Sequence, residues 1–165
     1  MAPDSLTRLA ARLGARLKKR RLKLATAESC TGGWIAQAVT SVSGSSAWFE
    51  RGFVSYSNEA KRESLGVRGA ILSRHGAVSE ETARAMAAGA LARSRAQVAV
   101  AVTGVAGPAG GTRRKPVGMV CVAWGKRGAF PESATFRFRG GRESVRRQSV
   151  VAALQGLLDR LGDGR

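Results

Sequence analysis

Leu6, Leu9, Leu13 and Leu17 recur at intervals of three and four residues, with arginine or lysine scattered between them. That period puts the leucines on one stripe of a helix, and Ser5 is placed to cap it. Residues 22–27 then read as a short strand, 28–33 as a turn and 33–42 as a second helix. Gly44, Ser45 and Ser46 form a turn, and 48–56 alternates well enough for a strand. Ser57 or Asn58 can cap a helix that runs to Leu65 and is closed by Gly66. Ser79 caps an alanine-rich helix over 80–94, and 97–103 is a β-branched run typical of a buried strand. A glycine-rich loop fills 104–115, and 117–124 with 133–139 reads as a hairpin. The terminal helix, 143–161, directs Val150, Leu154, Leu157, Leu158 and Leu161 to the core, and 162–165 should fray. Strands and helices interleave, so the pattern predicts one α/β domain over residues 1–165 with a mixed sheet.

Composition narrows this picture. The 165 residues, 44% of them hydrophobic, suffice for a core without metal or disulfide staples. No apolar run approaches the roughly 18 residues of a membrane span. The amino-terminal stretch lacks the continuous apolar segment of a signal peptide; it is Arg-rich like a transit peptide, but Asp4 and its continuation into a strand argue against that. Cys30 and Cys121 are the only cysteines, which fits a reducing cytoplasm. With His75 as the only histidine, neither a metal site nor a Ser-His-Asp triad is expected, and no cofactor is called for. The net charge of +17 favours phosphorylated ligands or polyanions. No nucleic-acid recognition motif accompanies it, so nucleic acid is expected only as a weak, charge-driven partner. Trp34, Trp48 and Trp124 are scattered, as core residues are.

Three segments carry small and polar residues that packing does not require. The run Ala27-Glu28-Ser29-Cys30-Thr31-Gly32-Gly33 lies between a strand and a helix. Such a turn exposes a side chain at the carboxyl edge of a sheet, where α/β folds build ligand sites. Its N–H groups can receive an oxyanion or a phosphate, although an ordinary capping turn would use the same residues. The second run, Ser55-Tyr56-Ser57-Asn58-Glu59-Ala60-Lys61, ends a strand and opens a helix. A lysine there is either solvated or, if buried, depressed in pKa and fit to act as a base. The third, residues 103–111 followed by Lys115-Pro116-Val117-Gly118, is a glycine loop that matches neither a phosphate-binding P-loop nor a dinucleotide fingerprint.

Taken together, AESCTGG at 27–33, GSSAWFERGFVSYSNEAK at 44–61, GAVSEETA at 76–83, TGVAGPAGG at 103–111, KPVG at 115–118 and VRRQSVVAAL at 145–154 resemble the C-terminal domain of the competence-damage-inducible protein CinA and its stand-alone relatives, the nicotinamide-nucleotide amidases. The resemblance spans nearly the whole chain. It implies a three-layer α/β fold with the sheet between helices, deamidation of nicotinamide mononucleotide, and a catalytic set on Ser29, Tyr56 and Lys61. Two positions depart from the family pattern: Ala109 replaces a frequent aspartate, and Arg113 and Arg114 precede the Lys-Pro-Val-Gly run.

The mechanism so implied makes Ser29 the nucleophile and neutral Lys61 the base, with Tyr56 orienting Lys61 or relaying the proton. Backbone N–H groups of Thr31, Gly32 and Gly33 are the candidates for the oxyanion. Thr103, Gly104 and Gly107 should wrap the nucleotide, and Arg146 or Arg147 should meet its phosphate. Cys30 is the rival nucleophile; adjacent side chains diverge, so it is expected to pack inward. A homodimer is the general expectation for a small enzyme.

Overall fold

The computed structural model describes residues 2–162. Its elements are α1 (Ser5–Lys19), β1 (Leu24–Glu28), α2 (Trp34–Thr40), β2 (Phe49–Val54), α3 (Asn58–Leu65), α4 (Gly69–His75), α5 (Glu80–Ala92), β3 (Val98–Gly104), β4 (Met119–Lys126), β5 (Glu132–Arg137) and α6 (Arg142–Leu161). The strands form one sheet in the order β2-β1-β3-β4-β5. β1 runs parallel to both β2 and β3, whereas β4 is antiparallel to β3 and to β5. The mixed sheet between helices follows the expectation.

The two faces of the sheet differ in side-chain size. Side chains alternate along a strand, so Val98, Val100 and Val102 of β3 point one way and Ala99 and Ala101 the other. The valine face packs against α1, α2 and α6 through Leu13, Leu17, Ile35, Val39, Leu154 and Leu157. The alanine face packs against α3, α4 and α5 through Leu65, Leu72, Met86, Ala87 and Ala90. Small residues let these helices approach closely. A Cβ on Gly89 of α5 would stand 1.9 Å from the Leu65 carbonyl oxygen, so only glycine fits there. On the valine face two indoles lie on helix glycines: Trp48 on Gly14 and Trp124 on Gly156, where a Cβ would come within 2.4 and 2.3 Å. The Trp124 indole N–H donates to the Ala153 carbonyl at 3.0 Å, satisfying its one polar atom.

Several boundaries move. Asp4, not Ser5, caps α1, its carboxylate accepting from the Thr7 N–H at 2.8 Å. Ser57 caps α3 and Gly66 closes it in a left-handed conformation. α2 ends at Thr40, short of Val42, and Trp48 precedes β2 instead of joining it. α4 has seven residues and gives too little periodicity to be expected. Gly162 closes α6, and the remainder of the segment expected to fray lies outside the described residues. Among the described residues no helix is long and apolar enough to cross a membrane.

Candidate active site

The chain leaves β1 toward the valine face, where α2 packs, and leaves β2 toward the alanine face, where α3 packs. A crevice opens where consecutive connections part to opposite sides of a sheet. Three sequence segments meet at this carboxyl edge: the turn after β1, the start of α3 after β2, and the glycine loop after β3. They line a cavity of about 280 Å³ that includes Ser29, Cys30, Tyr56, Lys61, Thr103 and Gly107.

Ser29 continues the β1 pairing for one residue, its N–H donating to the Val102 carbonyl at 3.0 Å. Its side chain, on a residue 7% exposed, accepts a hydrogen bond from Lys61 Nζ at 3.1 Å. Lys61 is 1% exposed and is among the largest fully buried side chains of the protein. Its Nζ makes one other hydrogen bond, to the Tyr56 carbonyl at 3.2 Å. Neither partner is a carboxylate. Burial without a counter-charge disfavours the ammonium, so the Lys61 pKa falls below the usual lysine value, with a small opposing influence from Cys30. A buried lysine of this kind can be neutral and basic near Ser29.

Tyr56 meets Lys61 through its backbone carbonyl and not through its phenol. The residue is 63% exposed, and its hydroxyl accepts from Arg142 Nη2 at 3.3 Å. Arg142 also donates to the Gly107 carbonyl at 2.8 Å, so it ties the two banks of the cavity. The Cys30 thiol is buried and its pKa is pushed up to about 12 by desolvation, which keeps it protonated.

Beneath the turn, Glu28 is fully buried. Its carboxylate accepts from the Thr31 hydroxyl at 2.7 Å, the Ile35 N–H at 2.8 Å and the Ala36 N–H at 3.0 Å. It therefore caps the first turn of α2, whose own N-cap, Gly33, has no side chain to do so. Gly32 and Gly33 adopt φ of +60° and +101°, which lets the turn fold back into α2. Thr31 faces Glu28, away from the cavity lining. Thr103 is buried, its hydroxyl donating to the Ala77 carbonyl at 2.8 Å and anchoring the loop before α5.

Neither of the two arginines expected at the phosphate lines the cavity. Arg146 donates to the carbonyls of Cys30 and Thr31, both at 3.1 Å, behind the turn. Arg147 donates to the Ser5 hydroxyl at 3.1 Å, on the α1 side of the molecule. The arginine lining the cavity is Arg142, one helical turn before Arg146. Sequence reasoning missed it and Glu28. Their signals were an arginine at the first position of the last helix and a lone acid ending an otherwise uncharged strand. Among the described residues no group of acidic, histidine or cysteine side chains is arranged to hold a metal ion.

The CinA C-terminal domain family model matches residues 6–161. The chain belongs to the CinA C-terminal domain family. Within that family it is similar to the nicotinamide-nucleotide amidohydrolase PncC of Pseudomonas putida, 55% identical over 155 residues that cover 94% of this chain and 96% of that protein. The enzyme of the same name from Escherichia coli K12 is 51% identical over 159 residues, 95% of each. Among solved structures, the competence/damage inducible protein CihA of Agrobacterium tumefaciens matches with a TM-score of 0.93 at 46% identity, covering 99% of both chains. A CinA superfamily protein from Klebsiella pneumoniae matches at 0.92 and 39% identity, over 96% of this chain and 98% of that one. These likenesses run the length of the CinA domain and include every segment that lines the cavity.

Proposed function

We propose that this CinA domain is a nicotinamide-nucleotide amidohydrolase that converts nicotinamide mononucleotide to nicotinic acid mononucleotide and ammonia by serine–lysine catalysis. The observation that carries the reading is the 3.1 Å hydrogen bond between a buried lysine of lowered pKa and a serine at the carboxyl edge of the sheet. The near-full-length likeness to enzymes named for that reaction supplies the substrate class.

Neutral Lys61 takes the Ser29 proton as Oγ attacks the carboxamide carbon, giving a tetrahedral oxyanion. Lys61 returns the proton to the nitrogen as the C–N bond breaks, and ammonia leaves. An ester on Ser29 remains. Water, deprotonated by Lys61, attacks it, and collapse restores the Ser29 hydroxyl and frees the nicotinate carboxylate. The Tyr56 carbonyl holds Nζ in line with Oγ throughout. The phenol of Tyr56 and the guanidinium of Arg142, at the mouth of the cavity, suit the ribose and phosphate, because a guanidinium fork matches phosphate oxygens. Two free, buried thiols accord with a reducing cytoplasm as the site of action.

The test is ammonia release from nicotinamide mononucleotide by the native chain and by Ser29→Ala. Release by the native chain and none above background by the variant is expected. Equal release by both would remove Ser29, and no release by the native chain from any nicotinamide nucleotide would remove the activity.

A further inference from the structure

The turn that carries Ser29 is gripped from behind. Arg146 Nε donates to the Cys30 carbonyl and Nη2 to the next one, Thr31. The local sequence is shaped for this guanidinium. A Cβ at Gly32 would come within 3.2 Å of Nη2, tighter than such a contact ordinarily allows. The Trp34 ring lies beside it, 5.5 Å from the guanidinium carbon to the ring centre.

The consequence falls on the N–H groups of the same turn. A peptide unit is planar, with its C=O and N–H pointing opposite ways. Holding the Cys30 carbonyl toward α6 therefore aims the Thr31 N–H away from α6. The Ser29 carbonyl is likewise fixed, by the Gly32 N–H at 3.0 Å, which sets the direction of the Cys30 N–H. The Thr31 N–H has no acceptor among the described residues, and the Cys30 N–H meets only its own thiol sulfur, a weak acceptor, although both residues are buried. Buried N–H groups left without an acceptor are rare in folded proteins, and beside a nucleophile they suit the oxygen that becomes negative when the nucleophile adds.

We propose that Arg146 is a positioning residue for amide hydrolysis: by gripping the Cys30 and Thr31 carbonyls it keeps the Cys30 and Thr31 N–H groups available to the oxyanion formed at Ser29. This rests on the serine amidohydrolase reading above. Lysine cannot replace Arg146, because one ammonium does not supply two parallel donors in a rigid fork. The guanidinium acts only through the turn, so its effect belongs to the transition state and not to nucleotide binding.

The experiment uses the full chain with Arg146→Lys, Arg146→Ala and the native residue. Steady-state kinetics on nicotinamide mononucleotide should show kcat lowered by about 10- to 100-fold in both variants, with KM within about threefold of native. Millimolar guanidinium should restore part of the Arg146→Ala turnover and none of that lost in Ser29→Ala. Amide hydrogen exchange should accelerate over residues 29–34 in Arg146→Lys. Native kcat in both variants overturns the proposal. A raised KM with native kcat also overturns it and returns Arg146 to the phosphate. If the native chain hydrolyses no nicotinamide nucleotide, the function reading falls, and the catalytic role of Arg146 falls with it. The exchange measurement still decides the grip itself: unchanged exchange over 29–34 overturns it, whereas faster exchange there shows that the grip exists without this reaction.

Discussion

Two buried charged side chains flank Ser29, one on each side of the sheet edge, and they are treated in opposite ways. On the α2 side, the Glu28 carboxylate receives three hydrogen bonds, two of them from the first turn of a helix. On the α3 side, Lys61 is as deeply buried but has two neutral acceptors and opens onto a cavity. A buried charge with its hydrogen bonds complete is part of the framework. A buried amine without a counter-charge gives up its proton more readily, which is the property the proposed general base needs. The contrast assigns stability to the Glu28 side and reactivity to the Lys61 side, and each assignment can be tested alone.

The largest effect belongs to Lys61. Lys61→Met removes an uncompensated cation and leaves an apolar chain of similar length, so the melting temperature should hold or rise while turnover falls. Lys61→Arg keeps a positive charge that is not lost at any working pH. In both, kcat should drop by about 10²–10⁴, the range for a lost general base. Turnover within about threefold of native in Lys61→Arg would show that Lys61 serves by charge alone.

Next is the pH dependence of the native protein. With Lys61 as the proposed general base, kcat should rise about tenfold per pH unit below its lowered pKa and level off above it. Stability should move the same way. Between the lowered folded-state value and the ordinary lysine value the unfolded chain binds more protons than the native one, so unfolding free energy increases with pH across that window. Lys61→Met should abolish that contribution. A stability slope identical in native and Lys61→Met proteins would mean the ammonium is stable where it is buried.

The Glu28 side predicts the reverse pattern. Glu28→Gln puts an amide where three donors converge, and at least one of them loses its acceptor. The cost should be about 1–3 kcal/mol, or about 2–12 °C in melting temperature for a chain of this size. Thermal unfolding monitored by circular dichroism would measure it. If Glu28→Gln instead melted like the native protein, the carboxylate would not be the cap that α2 depends on.

The same contrast explains what could be read from the sequence. The leucine stripe of α1 was legible because its burial repeats with the helical period, and β3 because a continuous β-branched run marks a strand buried on both faces. Ser29 and Lys61 lie in different segments, and nothing local to Lys61 says that it is buried; only the resemblance linked them. Tyr56 is expected to orient Lys61 or relay a proton, and the sequence does not say through which atom; the contact is made by its carbonyl, which depends on how the chain turns between β2 and α3. The arginines of α6 were the hardest. Residues 142, 146 and 147 all begin one helix, and which of them faces the cavity depends on where that helix docks against the turn. Glu28 was passed over because a capping acid usually sits at the helix start, whereas this one reaches α2 from the end of β1.

The smallest expected effect tests the residue between the two sides. Cys30 follows Ser29, lines the same cavity and is the more nucleophilic atom when ionised. It is kept from ionising. With its pKa pushed up to about 12 by burial, the thiolate fraction near pH 8 is on the order of 10⁻⁴. Its side chain belongs to the core shared by α1, α2 and α6, so its role is packing. Cys30→Ala should keep kcat within about threefold of native and cost about 1 kcal/mol through the small void left behind. Iodoacetamide at neutral pH should inactivate the native enzyme no faster than it inactivates Cys30→Ala. Ser29→Ala supplies the matching half of the test, because adjacent residues in a turn cannot both face one carbonyl carbon. A hundredfold loss in Cys30→Ala, together with activity retained in Ser29→Ala, would move the nucleophile by one residue and leave Lys61 hydrogen-bonded to the wrong partner.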